Sequence, residues 1–265
     1  MSLETDTRIN KSKTLLINWL NSRVDPGGGS PPRLARHGQV SIDGLAWLKR
    51  QLAENENSAS AKTLFTSYSA VPRYLSKAKL ELSAAELQAA KELINGWNPI
   101  DWTYSQVGRT LLLISFPYQN SEKYLATLDK IVAAADVAEA IAFYQSLPLL
   151  PNPEQFQLRA AEGIRSNMTS VFDAVALNNP YPAEYLNDLA WNQMVLKALF
   201  VGSPLHLIYG LQRRNNQQLS QMLIDYARER LAANRTVSPE LWELVIPFQS
   251  EVVAKLKPSS AVVAS

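Results

Sequence analysis

The sequence contains no cysteine, which excludes a disulfide framework, a thiolate nucleophile and every Cys-ligated zinc or iron–sulfur site. Histidine is nearly as scarce. His37 and His206 stand far apart, neither has a metal-type partner three or four residues on, and no metal site is expected. No Gly-x-Gly-x-x-Gly, Gly-x-Ser-x-Gly or EF-hand pattern occurs, so no cofactor is expected either. An excess of one charge sign is also missing: 26 Lys and Arg against 24 Asp and Glu leave +2. The tightest basic groups are Lys11/Lys13, Arg33/Arg36 and Arg213/Arg214, too sparse to release many counterions, which argues against nucleic acid as a partner. Long apolar runs are absent. The nearest, Met194 to Leu211, is broken by Lys197, Gly202-Ser203-Pro204 and His206, so it reads as a buried helix, a bend and a second short helix, not a membrane span. Met1 to Asn18 carries Glu4, Asp6, Arg8, Lys11 and Lys13 where a secretory signal would be apolar, and the expected location is the cytoplasm.

What the chain does have is helical patterning, and enough apolar residues (46%) for a sizeable core. Tyr124, Leu125, Leu128, Ile131 and Val132 share one face of a helix over Ser121 to Ala135. Asp136 with Glu139, and Ser83 with Glu86, have the capping-box spacing. Ser41 precedes another apolar-periodic run, and Thr103 to Pro117 is apolar nearly all round, as a covered central helix would be. Asn152-Pro153 and Ser238-Pro239 read as a cap followed by proline at the first helical position. Further helices are expected at about 188–201 and 216–233. Strand alternation and Asn-Gly hairpin signals are scarce. The expectation is therefore one all-α domain over 1–265, with roughly ten short helices packed as antiparallel pairs, either a HEAT-like α-solenoid or an irregular helical bundle. Asn21 to Gln39, with Asp25-Pro26-Gly27-Gly28-Gly29-Ser30-Pro31-Pro32, reads as a flexible loop, and 257–265 as a frayed tail.

One polar run stands apart from this apolar background. Arg159, Glu162, Arg165 and Thr169 would lie roughly on one face of a single helix, with Ser166, Ser170 and Asp173 beside them and Asn167 close by. The next helix supplies Asn192, Gln193 and Lys197. Such a set could be a buried Arg–Glu–Arg network that fixes two helices in register. It could also be a ligand pocket in which Arg159 and Arg165 hold a carboxylate or phosphate, oriented by Asn192 and Gln193. Acid–base work by Glu162 or Asp173 would make it an enzyme's site. His206, in its apolar segment, is expected to be buried and hydrogen-bonded.

The wording of this region is specific. Arg159-Ala-Ala-Glu-Gly-Ile-Arg-Ser-Asn-Met-Thr-Ser-Val-Phe-Asp173, Asn178-Asn-Pro-Tyr-Pro182 and Trp191-Asn-Gln-Met-Val-Leu-Lys-Ala-Leu-Phe-Val-Gly202 resemble the EboA family. Arg213-Arg214-Asn215, Tyr226-Ala-Arg228-Glu-Arg230 and Val237-Ser-Pro-Glu-Leu241 continue the resemblance, which covers about 148–245. Members of that family are small bacterial proteins encoded in the ebo cluster beside a prenyltransferase-like membrane protein, a sugar-phosphate cyclase-like protein and hydrolase-like proteins. The resemblance implies a part in making or exporting a small secondary metabolite, such as a scytonemin precursor, with other ebo-cluster proteins or the metabolite itself as partners. It supplies no catalytic residues. The leading expectation is a non-catalytic helical protein that binds a partner or an intermediate. The alternatives are a small-molecule enzyme built on the Arg159 cluster and peripheral membrane contact through Met194 to Leu211.

Overall fold

The computed structural model describes residues 3–25, 40–58 and 60–256. The expected Gly/Pro-rich loop at 21–39 falls largely outside them, and the expected frayed tail at 257–265 wholly so. Thirteen α-helices and no named strand occur among the described residues, and the all-α class follows. Contacts divide the chain into two compact units, Met1–Tyr181 and Pro182–Ser265.

The N-terminal unit contains α1 (Leu3–Asn21), α2 (Ile42–Ser58), α3 (Ala61–Ala70), α4 (Ala84–Leu93), α5 (Tyr104–Ser115), α6 (Ser121–Ala134), α7 (Val137–Ser146), α8 (Gln157–Arg165) and α9 (Thr169–Ala176). Its centre is α5, which is buried at every position except Gln106 and packs against α1, α2, α3 and α7. That hub is the arrangement of an irregular bundle, because solenoid repeats touch only their neighbours. The capping boxes at Ser83/Glu86 and Asp136/Glu139 form as their spacing requires, and Thr103/Gln106 adds a third at the start of α5.

Two readings of the N-terminal unit need correction. Asn152 does not cap a helix with its side chain: its φ is 49°, in the left-handed region, and Pro153 opens a short 3-10 turn that leads into α8. The polar run from Arg159 to Asp173 is not one helix. The chain leaves helical geometry at Ser166 (ψ 138°) and re-enters it at Thr169, so Arg159 and Glu162 lie on α8 while Thr169 and Asp173 lie on α9. This extra break, with other short elements, is why the helices exceed the ten expected. Gly163 allows the two helices to close up. A Cβ there would stand 2.6 Å from Val175 Cγ2 and 2.8 Å from Tyr144 Cε1. Asn178-Asn179-Pro180-Tyr181 then ties off α9: Asn179 Nδ2 donates to the carbonyls of Ala174 and Tyr144, and the Tyr181 hydroxyl donates to the carbonyl of Pro153.

At the other side of the N-terminal unit, Arg23 joins the turn after α1 to the start of α4. Its Nη1 and Nη2 each lie 2.8 Å from a Glu86 carboxylate oxygen, a fork-on-fork pair. The hydrogen bond from Arg23 leads the causes that hold Glu86 near pH 2, well below the usual 4.5, with Ser83 assisting and burial opposing. A folded-state pKa below the unfolded one makes the pair stabilising above about pH 4.5, and that stability drains as the pH falls towards 2. Since the group is partly solvated, about 1–2 kcal/mol is expected. Glu86→Gln should therefore trail wild type by that margin in neutral denaturant titrations, with the gap narrowing at acid pH. A gap as wide at pH 2 as at neutrality would show that the pair's charge is irrelevant.

The C-terminal unit takes up the chain within α10 (Tyr181–Tyr185) and continues with α11 (Asp188–Val201), α12 (Gln217–Ala232) and α13 (Pro239–Leu256). A 3-10 turn, Leu205–Leu207, follows the bend at Gly202-Ser203-Pro204, as the interrupted apolar run implies. Helix α12 lies between α11 and α13. Asn216 caps α12 through its Oδ1 to the Leu219 amide and exchanges amide hydrogen bonds with buried Asn192 at 2.9 and 3.2 Å. Pro247 and non-helical Gln249 bend α13. No helix among the described residues is long and apolar enough to cross a membrane.

Candidate functional site

The residues expected to form one polar site are distributed over both units. In the N-terminal unit, Arg159 bridges α6 and its own helix: Nε lies 2.6 Å from Asp129 Oδ1, and Nη1 lies 2.6 Å from Glu162 Oε2. Asp129 in particular holds the guanidinium charged. The Tyr144 phenol underneath is pushed up to about 12, first by burial and then by Glu162, against the opposing pull of Arg159 and Arg165. Arg165 itself is exposed at the end of α8, and among the described residues it forms no ion pair with Glu162. Asn167 is exposed in the break between α8 and α9, and Asp173 is half-buried with interactions of its own on α9. The buried Arg–Glu–Arg network is thus replaced by an Asp–Arg–Glu triad near the surface.

In the C-terminal unit, Asn192 is the buried partner of Asn216 and Gln193 is exposed. Lys197 is half-buried, and burial lowers its pKa. His206 differs from expectation: its side chain is 68% exposed, and Nδ1 lies 2.9 Å from Glu240 Oε1. The apolar residues around it in sequence turn inward, with Leu205 and Ile208 buried, and leave the imidazole outside.

This turn builds a recess that the sequence did not disclose. A hollow of about 470 Å³ opens between the segment from Leu205 to Arg213 and the first turns of α13. Leu205, Ile208 and Leu211 supply apolar wall, and Tyr209, Glu240 and Glu243 are among the groups with polar atoms. Glu240 organises one side by accepting from the Leu205 amide (3.3 Å), the His206 amide (3.0 Å) and His206 Nδ1. Arg213 organises the other, pairing with Glu184 while its guanidinium sits 5.5 Å from the centre of the Tyr209 ring. Gly210 (φ +76°) makes the turn possible, since a Cβ there would stand 2.9 Å from that of Ala183. Tyr209-Gly210 ahead of Arg213-Arg214 is the signal that could have drawn notice, but only the folded turn sets it against Glu240, some thirty residues on. Among the described residues no three His, Asp or Glu side chains gather as a metal site would require.

A larger groove, about 1010 Å³, runs beside α1 and α4 in the N-terminal unit, with Leu3, Lys11, Leu15, Ala89 and Leu93 among its walls. The comparison with known families separates the two recesses. The family model described as metabolite traffic protein EboA matches residues 34–246. The chain belongs to the EboA family. No curated protein and no solved structure matches it. The hollow around Tyr209 lies wholly inside the span shared with other EboA proteins, whereas the α1 wall of the larger groove precedes it. The EboA match also takes in the Arg159 triad, the Asn178-Asn179-Pro180 tie and the Asn192–Asn216 pair, three features whose polar groups fix helices to one another.

Proposed function

We propose that this chain serves an ebo-type secondary-metabolite pathway in the cytoplasm as a binding protein, holding a pathway intermediate in the Tyr209 hollow of the C-terminal unit. Membership of the metabolite traffic family supports the setting. The hollow supports the mode: its volume falls within the roughly 300–1,000 Å³ range of small-molecule sites, and apolar walls combine there with a few convergent polar groups. The Arg159 triad supports a helix-fixing role better than a ligand clamp, because Asp129 and Glu162 already occupy the guanidinium. Partner proteins of the same cluster would receive or deliver the intermediate.

Affinity purification of the native protein from pathway-active cells, with the eluate analysed for small molecules and for proteins, tests this reading. Wild type and Arg159→Met should carry the same small molecule. Tyr209→Ala, which removes a half-buried ring from the hollow's wall, should carry roughly tenfold less. A metabolite retained in full by Tyr209→Ala and lost from Arg159→Met would transfer the site to α8.

A further inference from the structure

We propose that the Tyr209 hollow selects small apolar molecules bearing a primary amine, a refinement that rests on the binding reading above. Three observations lead there. The first is charge. Arg213 is the hollow's permanent cation, and Glu184, outside the lining, already pairs with it. With that pair cancelled, Glu240 and Glu243 leave the hollow acidic.

The second observation is the direction of the free hydrogen-bonding groups. Glu240 is occupied by two backbone amides and by His206 Nδ1. Glu243 is exposed one helical turn beyond Glu240, and no hydrogen bond or ion pair among the described residues engages it. A carboxylate left unengaged at an apolar recess calls for a donor, and an ammonium group provides three hydrogens together with the opposite charge. The third is the wall. Leu205, Ile208 and Leu211 suit an apolar body, with the Tyr209 ring beside them. An acid would share Arg213 with Glu184 while facing the carboxylates of Glu240 and Glu243.

The test uses the full-length protein, isotope-labelled for NMR, titrated with phenethylamine hydrochloride and, at matched ionic strength, with sodium hydrocinnamate. The amine should bind in the millimolar range usual for fragments and shift amides confined to the hollow's lining. Glu243→Gln should weaken it roughly tenfold, and the acid should bind at least roughly tenfold more weakly than the amine. The proposal is overturned if the acid binds as tightly as the amine, if Glu243→Gln leaves amine binding unchanged, or if neither probe shifts the lining. Failure of the amine, with a co-purifying metabolite still lost from Tyr209→Ala, would overturn the ligand class and leave the binding reading standing. Amine binding as described, with no metabolite dependent on Tyr209, would leave the selectivity standing and remove the traffic role from this hollow.

Discussion

Arg109→Met should cost the N-terminal unit about 3–5 kcal/mol, enough to lower its melting temperature by on the order of 10 °C. Arg109 is 2% exposed in the middle of α5. Its Nε donates to the Tyr68 carbonyl at 3.2 Å, its guanidinium lies 5.4 Å from the centre of the Tyr68 ring, and Nη2 is 3.6 Å from Glu139 Oε1. The Tyr68 hydroxyl closes the circuit by donating to the Glu139 carbonyl at 2.8 Å. Glu139 also accepts from the Asp136 amide as the capping box of α7, so this residue couples the start of α7 to α5 through its carboxylate and to α3 through its backbone carbonyl. Methionine replaces the stem but not the charge, and strands the Glu139 carboxylate where water barely reaches it. Arg109→Met with Glu139→Gln should recover part of the loss, because the stranded charge is then gone. A single variant that melts within a degree or two of wild type would mean that the pair contributes nothing net, contrary to its burial.

Arg109 also shows what the sequence withholds. It sits in Val107-Gly-Arg-Thr-Leu-Leu-Leu-Ile114, a run readable as a covered helix, but no spacing rule announces that its partner is an acid thirty residues later on α7. Local signals were legible because their physics is local: a serine three residues before a glutamate, a proline at a helix start, an apolar stripe along α6. The same rules extended a single helix through Ser166, since nothing in Ser-Asn-Met forbids helix. The break comes from tertiary packing, in which Gly163 lets α8 settle on Tyr144 and Val175 before α9 turns back against it. Asn192, expected in a pocket, spends its amide on Asn216, the cap of α12. The hollow escaped notice because its walls come from a turn and a helix start that neither periodicity nor any motif joins.

Arg214→Met and Arg165→Met should give opposite results, although both arginines belong to the family-like wording and look alike in sequence. Arg214 threads back towards α10: Nη1 donates to the carbonyls of Leu186 (2.7 Å), Pro182 (3.2 Å) and Ala183 (3.3 Å). Nη2 reaches Asp188 at 2.6 Å, and the guanidinium covers the buried Trp191 ring at 4.9 Å. The carbonyls at the end of a short helix need donors, and here one cation serves three of this segment, of which Pro182 also accepts from the Leu186 amide. Its removal exposes those groups and the indole together, a loss of about 2–4 kcal/mol expected in the C-terminal unit. Arg165 stands exposed at the end of α8, and its loss should fall within about 0.5 kcal/mol of wild type. Hydrogen exchange resolves the two: Arg214→Met should speed exchange in α10, α11 and α12, and Arg165→Met should leave every helix as protected as before. Equal protection in both variants would show that the three carbonyls find water as good a partner as the guanidinium, and that Arg214 is held in place by the fold without holding it.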